Sequence, residues 1–146
     1  MNPIRQATQD DLARIAEIEI FNYRLNFYPI FQNDDFYFNE LQVPHVMERY
    51  RAVIDRILVY DDGAVKGFLL AEERQVKKLF VEPVLHGQAI GSRLLEYALQ
   101  ECGVRYLWAL EKNVRAIAFY QRHGFRLTGE RIPEDDTDEY LVRLER

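Results

Sequence analysis

Apolar positions recur along this chain in two rhythms. Where they fall three and four apart they mark one face of a helix, and where they alternate or run together briefly they mark a strand. Thr8-Gln9-Asp10-Asp11 fits the capping-box pattern that opens a helix, and Leu12, Ile15, Ala16 and Ile18 follow at helical spacing. Val46, Tyr50, Val53, Ile54 and Ile57 form a second stripe, with Pro44 in the first turn, where a missing N–H is harmless. Ile90, Leu94, Ala98 and Cys102 lie four apart beside Leu95 and Leu99, so a third helix is expected over Ile90–Cys102, with Cys102 in the core. A short helix is expected over Arg115–Arg122, ended by Gly124 at a position that favours positive φ.

Strands are expected over Ile57–Tyr60, Val65–Ala71, Val76–Val81 and Tyr106–Leu110, with a closing pair over Phe125–Ile132 and Tyr140–Leu144. Asp61-Asp62-Gly63 is turn chemistry between the first two, and Pro83 ends the third because it cannot donate to a ladder. Residues 22–42 fit neither rhythm. They mix Tyr23, Phe27, Tyr28, Phe31, Phe36, Tyr37 and Phe38 with Asn33, Asp34 and Asp35, too polar for a strand and too aromatic for a disordered linker. Strands interleaved with helices point to a mixed α/β domain.

Composition narrows this picture. The chain has 146 residues, the length of one domain, expected to span 1–146. A net charge of −5 argues against a role coating nucleic acid or anionic membrane. One cysteine excludes an internal disulfide and a thiolate zinc cluster. His45, His86 and His123 lack metal-ligand spacing, so no metal is expected. No apolar run reaches the roughly 20 residues of a membrane span, and the first residues lack the apolar stretch of a signal peptide. A soluble, cytoplasmic protein, monomeric or homodimeric, is the expectation.

Two segments carry candidate chemistry. In the first, Leu79-Phe80-Val81-Glu82-Pro83 leads into Val84-Leu85-His86-Gly87-Gln88-Ala89-Ile90-Gly91-Ser92. A strand breaks, a loop of small residues follows, and a helix begins, an arrangement suited to a phosphate because helix N-termini present unsatisfied N–H groups. It matches neither the Walker A pattern nor the dinucleotide fingerprint, and an ordinary strand-to-helix turn reads the same way. The second is Asn113-Val114-Arg115-Ala116-Ile117-Ala118-Phe119-Tyr120-Gln121-Arg122-His123-Gly124-Phe125. Asn113 alone reads as an N-cap, and Phe119 and Tyr120 alone read as core aromatics.

Together the two segments resemble the GNAT superfamily of acetyl-CoA-dependent N-acetyltransferases. His86-Gly87-Gln88-Ala89-Ile90-Gly91 is similar to its pyrophosphate loop, and Asn113-x-x-Ala116-x-x-Phe119-Tyr120-x-x-x-Gly124-Phe125 is similar to its downstream signature. The resemblance implies an α/β (α+β) fold with a mostly antiparallel central sheet, flanking helices and a splayed pair of strands at the cofactor. It implies that main-chain groups of Leu79, Phe80 and Val81 line the pantetheine arm. The loop from His86 through Gly87, Gln88, Ala89, Ile90, Gly91 and Ser92 would hold the pyrophosphate. Asn113 and Phe119 would meet the arm, and Tyr120 would protonate the departing CoA thiolate. A free tyrosine has a pKa near 10 and a thiol one near 8.5, so at neutral pH Tyr120 holds a proton for the thiolate.

The sequence departs from the family pattern in three places. His86 stands where Arg or Gln is usual. Ala89 stands where Gly is usual, at a cost of roughly 1–2 kcal/mol if the position needs positive φ. No carboxylate stands at the family's usual base positions, one of which is Trp108, although deprotonating a lysine-like amine at pH 7 costs about 4–5 kcal/mol. A water chain to Glu72, Glu73, Glu111 or a loop carboxylate is the remaining route.

The implied acceptor is a primary amine: a small molecule, a peptide N-terminus or a lysine. Asp34, Asp35 and Glu40, with Glu134, Asp135, Asp136, Asp138 and Glu139, read either as a solvated acidic surface or as a mouth that concentrates a cationic amine. A CoA-binding sensor without catalysis and a plain interaction domain are the alternatives.

Overall fold

The computed structural model describes residues 2–146. Its strands are β1 (Ile4–Gln6), β2 (Ile57–Asp61), β3 (Val65–Glu72), β4 (Gln75–Val81), β5 (Tyr106–Leu110), β6 (Arg126–Pro133) and β7 (Tyr140–Glu145). Its helices are α1 (Leu12–Asn22), α2 (Tyr28–Phe31), α3 (Val43–Arg51), α4 (Ile90–Glu101) and α5 (Val114–Arg122). Strand order is β1-β2-β3-β4-β5-β7-β6. Neighbours are mostly antiparallel, and β4 and β5 pair in parallel at two positions only, Gln75 with Tyr106 and Val76 with Leu107. The chain divides into two compact units: the chain up to Leu70 with Lys78–Tyr97, and Ala71–Lys77 with Ala98–Arg146.

In the first unit, α1 opens as the capping pattern requires. The Thr8 N–H donates to the Asp11 carboxylate at 2.8 Å, and Arg5 donates to both oxygens of the same carboxylate. Leu12, Ile15, Ala16 and Ile18 are fully buried, in a core with Val46, Tyr50, Ile57, Val59 and Phe68. Burying each large aliphatic side chain contributes about 1.5–3 kcal/mol. Residues 22–42, which fit no rhythm, are helical throughout most of their length. π-Helical turns at Tyr23–Phe27 and Asp35–Glu40 flank the single turn of α2. The wider π turn breaks the 3.6-residue spacing, so the aromatic side chains reach the core from irregular positions.

Gly67 on β3 sets how closely the end of β4 and the start of α4 approach. A Cβ there would lie 3.1 Å from the Phe80 carbonyl oxygen and 3.3 Å from Ile90 Cγ2 and Leu94 Cδ1.

In the second unit, β5 pairs with β7 from Tyr106–Glu145 to Leu110–Leu141, and Leu107, Phe125 and Leu144 are buried. α5 ends in a Schellman arrangement with Gly124 at φ +87. Phe125 N–H bonds to Tyr120 O and Gly124 N–H to Gln121 O, both at 3.1 Å. Strand β6, at the sheet edge, is exposed at every residue. Two expectations are overturned: the helix of the second stripe ends at Arg51, with Ile54 in a 3-10 turn and Ile57 drawn into β2, and α4 ends at Glu101, with Cys102 exposed just beyond it because the apolar stripe ends with Ala98 and Leu99.

Candidate active site

The strand-to-helix segment lies in the first unit, where several ties pin the end of β4. Glu82 N–H donates to Lys66 O on β3 at 2.9 Å. Antiparallel alternation then turns the main-chain groups of Phe80 toward β3 and those of Leu79 and Val81 away from it. Arg14 on α1 donates to both Val65 O (2.7 Å) and Glu82 Oε2 (2.9 Å). The buried Asn22 donates its amide to Val81 O at 2.9 Å, and His86 Nε2 lies 3.1 Å from the same carbonyl. A carbonyl only accepts, so Nε2 carries the hydrogen. Both lone pairs of Val81 O are therefore taken by protein donors, and Val81 offers a ligand its N–H. The Phe80 ring packs on Phe68 and Tyr23, so with its main chain turned toward β3, Phe80, expected to line the arm, is held on the protein side of the strand.

Beyond Pro83 the chain makes one short 3-10 turn and then opens. Gly87 has φ +90 and Ala89 φ +65, so the sequence departure at Ala89 falls at a left-handed position. Helix α4 begins with Arg93 N–H donating to Ala89 O at 3.0 Å. The N–H groups of Gly87, Gln88, Ala89, Ile90 and Gly91 have no protein acceptor among the described residues. This run of unsatisfied donors at the positive end of a three-turn helix can hold an anion. The His86 ring is turned back onto the strand, so His86 latches the loop to β4.

Asn113, Phe119 and Tyr120 belong to the second unit. Asn113 is the N-cap of α5: its Oδ1 accepts from Ala116 N at 3.2 Å, and its amide NH2 has no partner among the described residues. Phe119 stacks edge-on against Tyr120 (5.2 Å between centroids) and lies 4.9 Å from the His123 ring. Tyr120 also packs edge-on against Phe125, and its hydroxyl has no protein hydrogen-bond partner among the described residues. Burial raises its pKa well above that of a free tyrosine, so the phenol stays protonated at any physiological pH.

Of the carboxylates considered as a base, Glu111 is engaged. Arg131 binds both its oxygens at 2.9 and 3.0 Å and holds its pKa below the usual carboxylate range. Among the acidic residues of the first unit, Asp34 accepts from Tyr28 and Asp35 from Asn39. In the β6–β7 turn, Glu139 pairs with Lys112 at 3.0 Å.

Sequence reasoning missed a buried polar cluster in the first unit. Glu19 on α1 is fully buried and accepts from Arg49 and from the Tyr50 hydroxyl. Lys78 on β4 donates to the Tyr23 hydroxyl, with its Nζ 3.9 Å from Glu19 Oε1. One signal was available: Glu19 stands four residues after Ile15, between Ile18 and Ile20, where an apolar residue is expected.

These features are those of a fold that acetyltransferases share. The family model described as Acetyltransferase (GNAT) domain matches residues 53–127, about half of the chain, and the chain belongs to this family. The matched stretch contains both candidate segments and omits α1 to α3. Peptidyl-lysine N-acetyltransferase YjaB of Salmonella typhimurium is 33% identical over 79 residues, 54% of this chain and 54% of that protein. The chain thus spans about half the length of the curated relatives it matches. Among solved structures, apo-form YjaB from Escherichia coli superimposes with a TM-score of 0.72 at 23% identity, over 97% of this chain and 95% of that one. The PaiA N-acetyltransferase from Thermoplasma acidophilum, in complex with coenzyme A, gives 0.67 at 18% identity over 98% of each chain. These similarities fix the fold as that of the family.

Proposed function

We propose that the chain acts over residues 1–146 as a single N-acetyltransferase that moves an acetyl group from acetyl-CoA to a primary amine. The observation that carries this reading is the run of unsatisfied N–H groups from Gly87 to Gly91 at the start of α4. Family membership and the CoA named in the PaiA complex support it. The pyrophosphate would rest on the Gly87–Ser92 segment, with the His86 ring holding that segment to the strand. The pantetheine arm would pair with the main chain of Leu79 and Val81, and the family resemblance assigns Asn113 and Phe119 to the same cofactor.

In the reaction the amine nitrogen attacks the thioester carbonyl. A C–N bond forms, the C–S bond breaks, the thiolate takes the phenolic proton of Tyr120, and the proton shed by the amine nitrogen passes through water to reprotonate the Tyr120 phenolate. A buried phenol gives up that proton reluctantly, so the transfer depends on a thiolate that is itself desolvated and more basic.

Two measurements test the reading. Acetyl-CoA at 100 times its Kd adds about 2.7 kcal/mol of stability, expected as a Tm rise of roughly 5–15 °C. The absence of a rise at millimolar acetyl-CoA overturns the reading. Tyr120→Phe is expected to lower kcat about 100-fold in a free-thiol assay, with the Kd for acetyl-CoA retained. Undiminished kcat removes Tyr120 as the acid. A second reading, a CoA-binding module without turnover, is favoured by the engagement of Glu111 with Arg131. It predicts the Tm rise with no thiol release from any amine.

A further inference from the structure

The charges of the Glu19 cluster do not balance. Each Glu19 oxygen accepts one hydrogen bond, Oε1 from Tyr50 and Oε2 from Arg49. Lys78 is surplus to that pairing. At 3.9 Å from Oε1 its ammonium lies outside hydrogen-bond reach of the carboxylate. Among the described residues its one hydrogen bond goes to the neutral Tyr23 hydroxyl, which leaves two N–H donors unspent.

Tyr23 and Tyr50 both titrate above the ordinary tyrosine range because burial disfavours the phenolate. The cluster therefore holds one carboxylate against two cations. The surroundings on one side are aromatic: the Tyr23 ring packs edge-on against Phe27 at 5.1 Å and Phe80 at 5.5 Å. That wall favours the cation: the Lys78 Nζ lies 5.2 Å from the Tyr23 ring centroid, and burial, which lowers the Lys78 pKa, is outweighed by Tyr23 and Glu19, which hold it above the usual lysine value, so the ammonium stays charged and open to an anion. Lys78 is also reachable, with 32% of its side chain exposed. It stands on β4 directly before Leu79, where the proposed thioester arm begins.

We propose that Lys78 determines acceptor specificity by binding a carboxylate, so that the acceptor is a small amino-carboxylate such as an amino acid. This rests on the acetyltransferase reading of the same strand. One surplus positive charge matches one carboxylate, whereas a phosphate monoester carries about −1.5 to −2 and would be undercompensated. An amine without an anionic group would meet only repulsion from Lys78. The peptidyl-lysine acceptor in the relatives' name belongs to those proteins, each matched over about half its length, and does not decide the point.

The test pairs each of the common amino acids with its carboxamide as acceptor and reads free-thiol release from acetyl-CoA. The quantity is the ratio of kcat/KM for acid over amide, measured in wild type, Lys78→Met and Lys78→Arg. Wild type is expected to prefer the acid at least about tenfold for its best side chain, as a charge-assisted hydrogen bond requires. Lys78→Met is expected to collapse that ratio about tenfold or more through KM, and Lys78→Arg to keep the acid preferred. The proposal is overturned if wild type uses amides as well as acids, if Lys78→Met leaves the ratio unchanged, or if wild type binds acetyl-CoA and acetylates no acid. The wild-type ratio decides the matter even if Lys78→Met does not fold. Failure of the underlying reading is seen separately, as wild type showing no Tm rise with acetyl-CoA.

Discussion

Ala89 occupies a backbone conformation, φ +65, in which a Cβ costs about 1–2 kcal/mol. Ala89→Gly is expected to raise stability by roughly 1 kcal/mol, less than the full strain because glycine frees the unfolded chain. The denaturant midpoint reads the change, and a lower midpoint would mean that the methyl is held by packing. Glu19 is the opposite case, a residue whose removal is costly. Glu19→Ala leaves the buried Tyr50 hydroxyl without its acceptor and is expected to cost about 1–3 kcal/mol. Neither residue could be assigned from its identity. Ala89 was readable only because a family pattern expects glycine there. Glu19 was readable only as a break in an apolar run, which says nothing of the partners that α3 and β4 bring to it.

At the level of elements, α5 depends on its cap. Asn113→Ala removes the acceptor for the Ala116 N–H and is expected to cost about 1 kcal/mol, while Asn113→Asp keeps it. Most elements were legible because their apolar side chains repeat with a fixed period. α1, α4 and the strands on either side of the Asp-Gly turn fall where the spacing places them, whereas α3 ends at Arg51, so Val53, Ile54 and Ile57 of its stripe lie beyond the helix. The illegible parts obey no periodic rule. The π turns at Tyr23–Phe27 and Asp35–Glu40 offset the helical repeat. The β3–β4 turn puts Glu73 and Arg74 at φ +49 and +71, a job that sequence patterns assign to glycine or asparagine. Cys102 fitted the α4 stripe by spacing, yet the helix stops one residue before it. The unsatisfied donors of the loop before α4 were legible because they belong to the main chain. The base was not, because a proton route depends on side chains meeting from distant segments.

For the whole molecule, the titrations predict a stability plateau with a fall on each side. Hydrogen bonds from Arg5 hold the Asp11 and Asp61 carboxyls below their ordinary values. The unfolded chain therefore binds more protons in acid, and the stability these pairs give is present above about pH 4 and lost as pH falls through the lowered values. Tyr50, raised chiefly by its burial, and Lys78, raised by Tyr23 and Glu19 against the opposing effect of burial, act in the other direction. Their contribution is present below about pH 10 and lost as pH rises through the raised values. The Tm is expected to be level from about pH 5 to 9, and Arg5→Gln to weaken the acid-side dependence. A Tm that climbs steadily toward pH 3 would refute the assignment.

Strand β6 has one further consequence, for the protein in crowded solution. A strand exposed along its whole length at a sheet margin is a template on which another chain could add itself. Here the register with β7 slips between Leu127 and Arg131, around Gly129 at φ +91. The kink breaks the row of donors and acceptors into two short pieces, neither long enough to seed a stack. Removing Gly129 would straighten the margin, and concentration-dependent light scattering is where that loss of protection would appear.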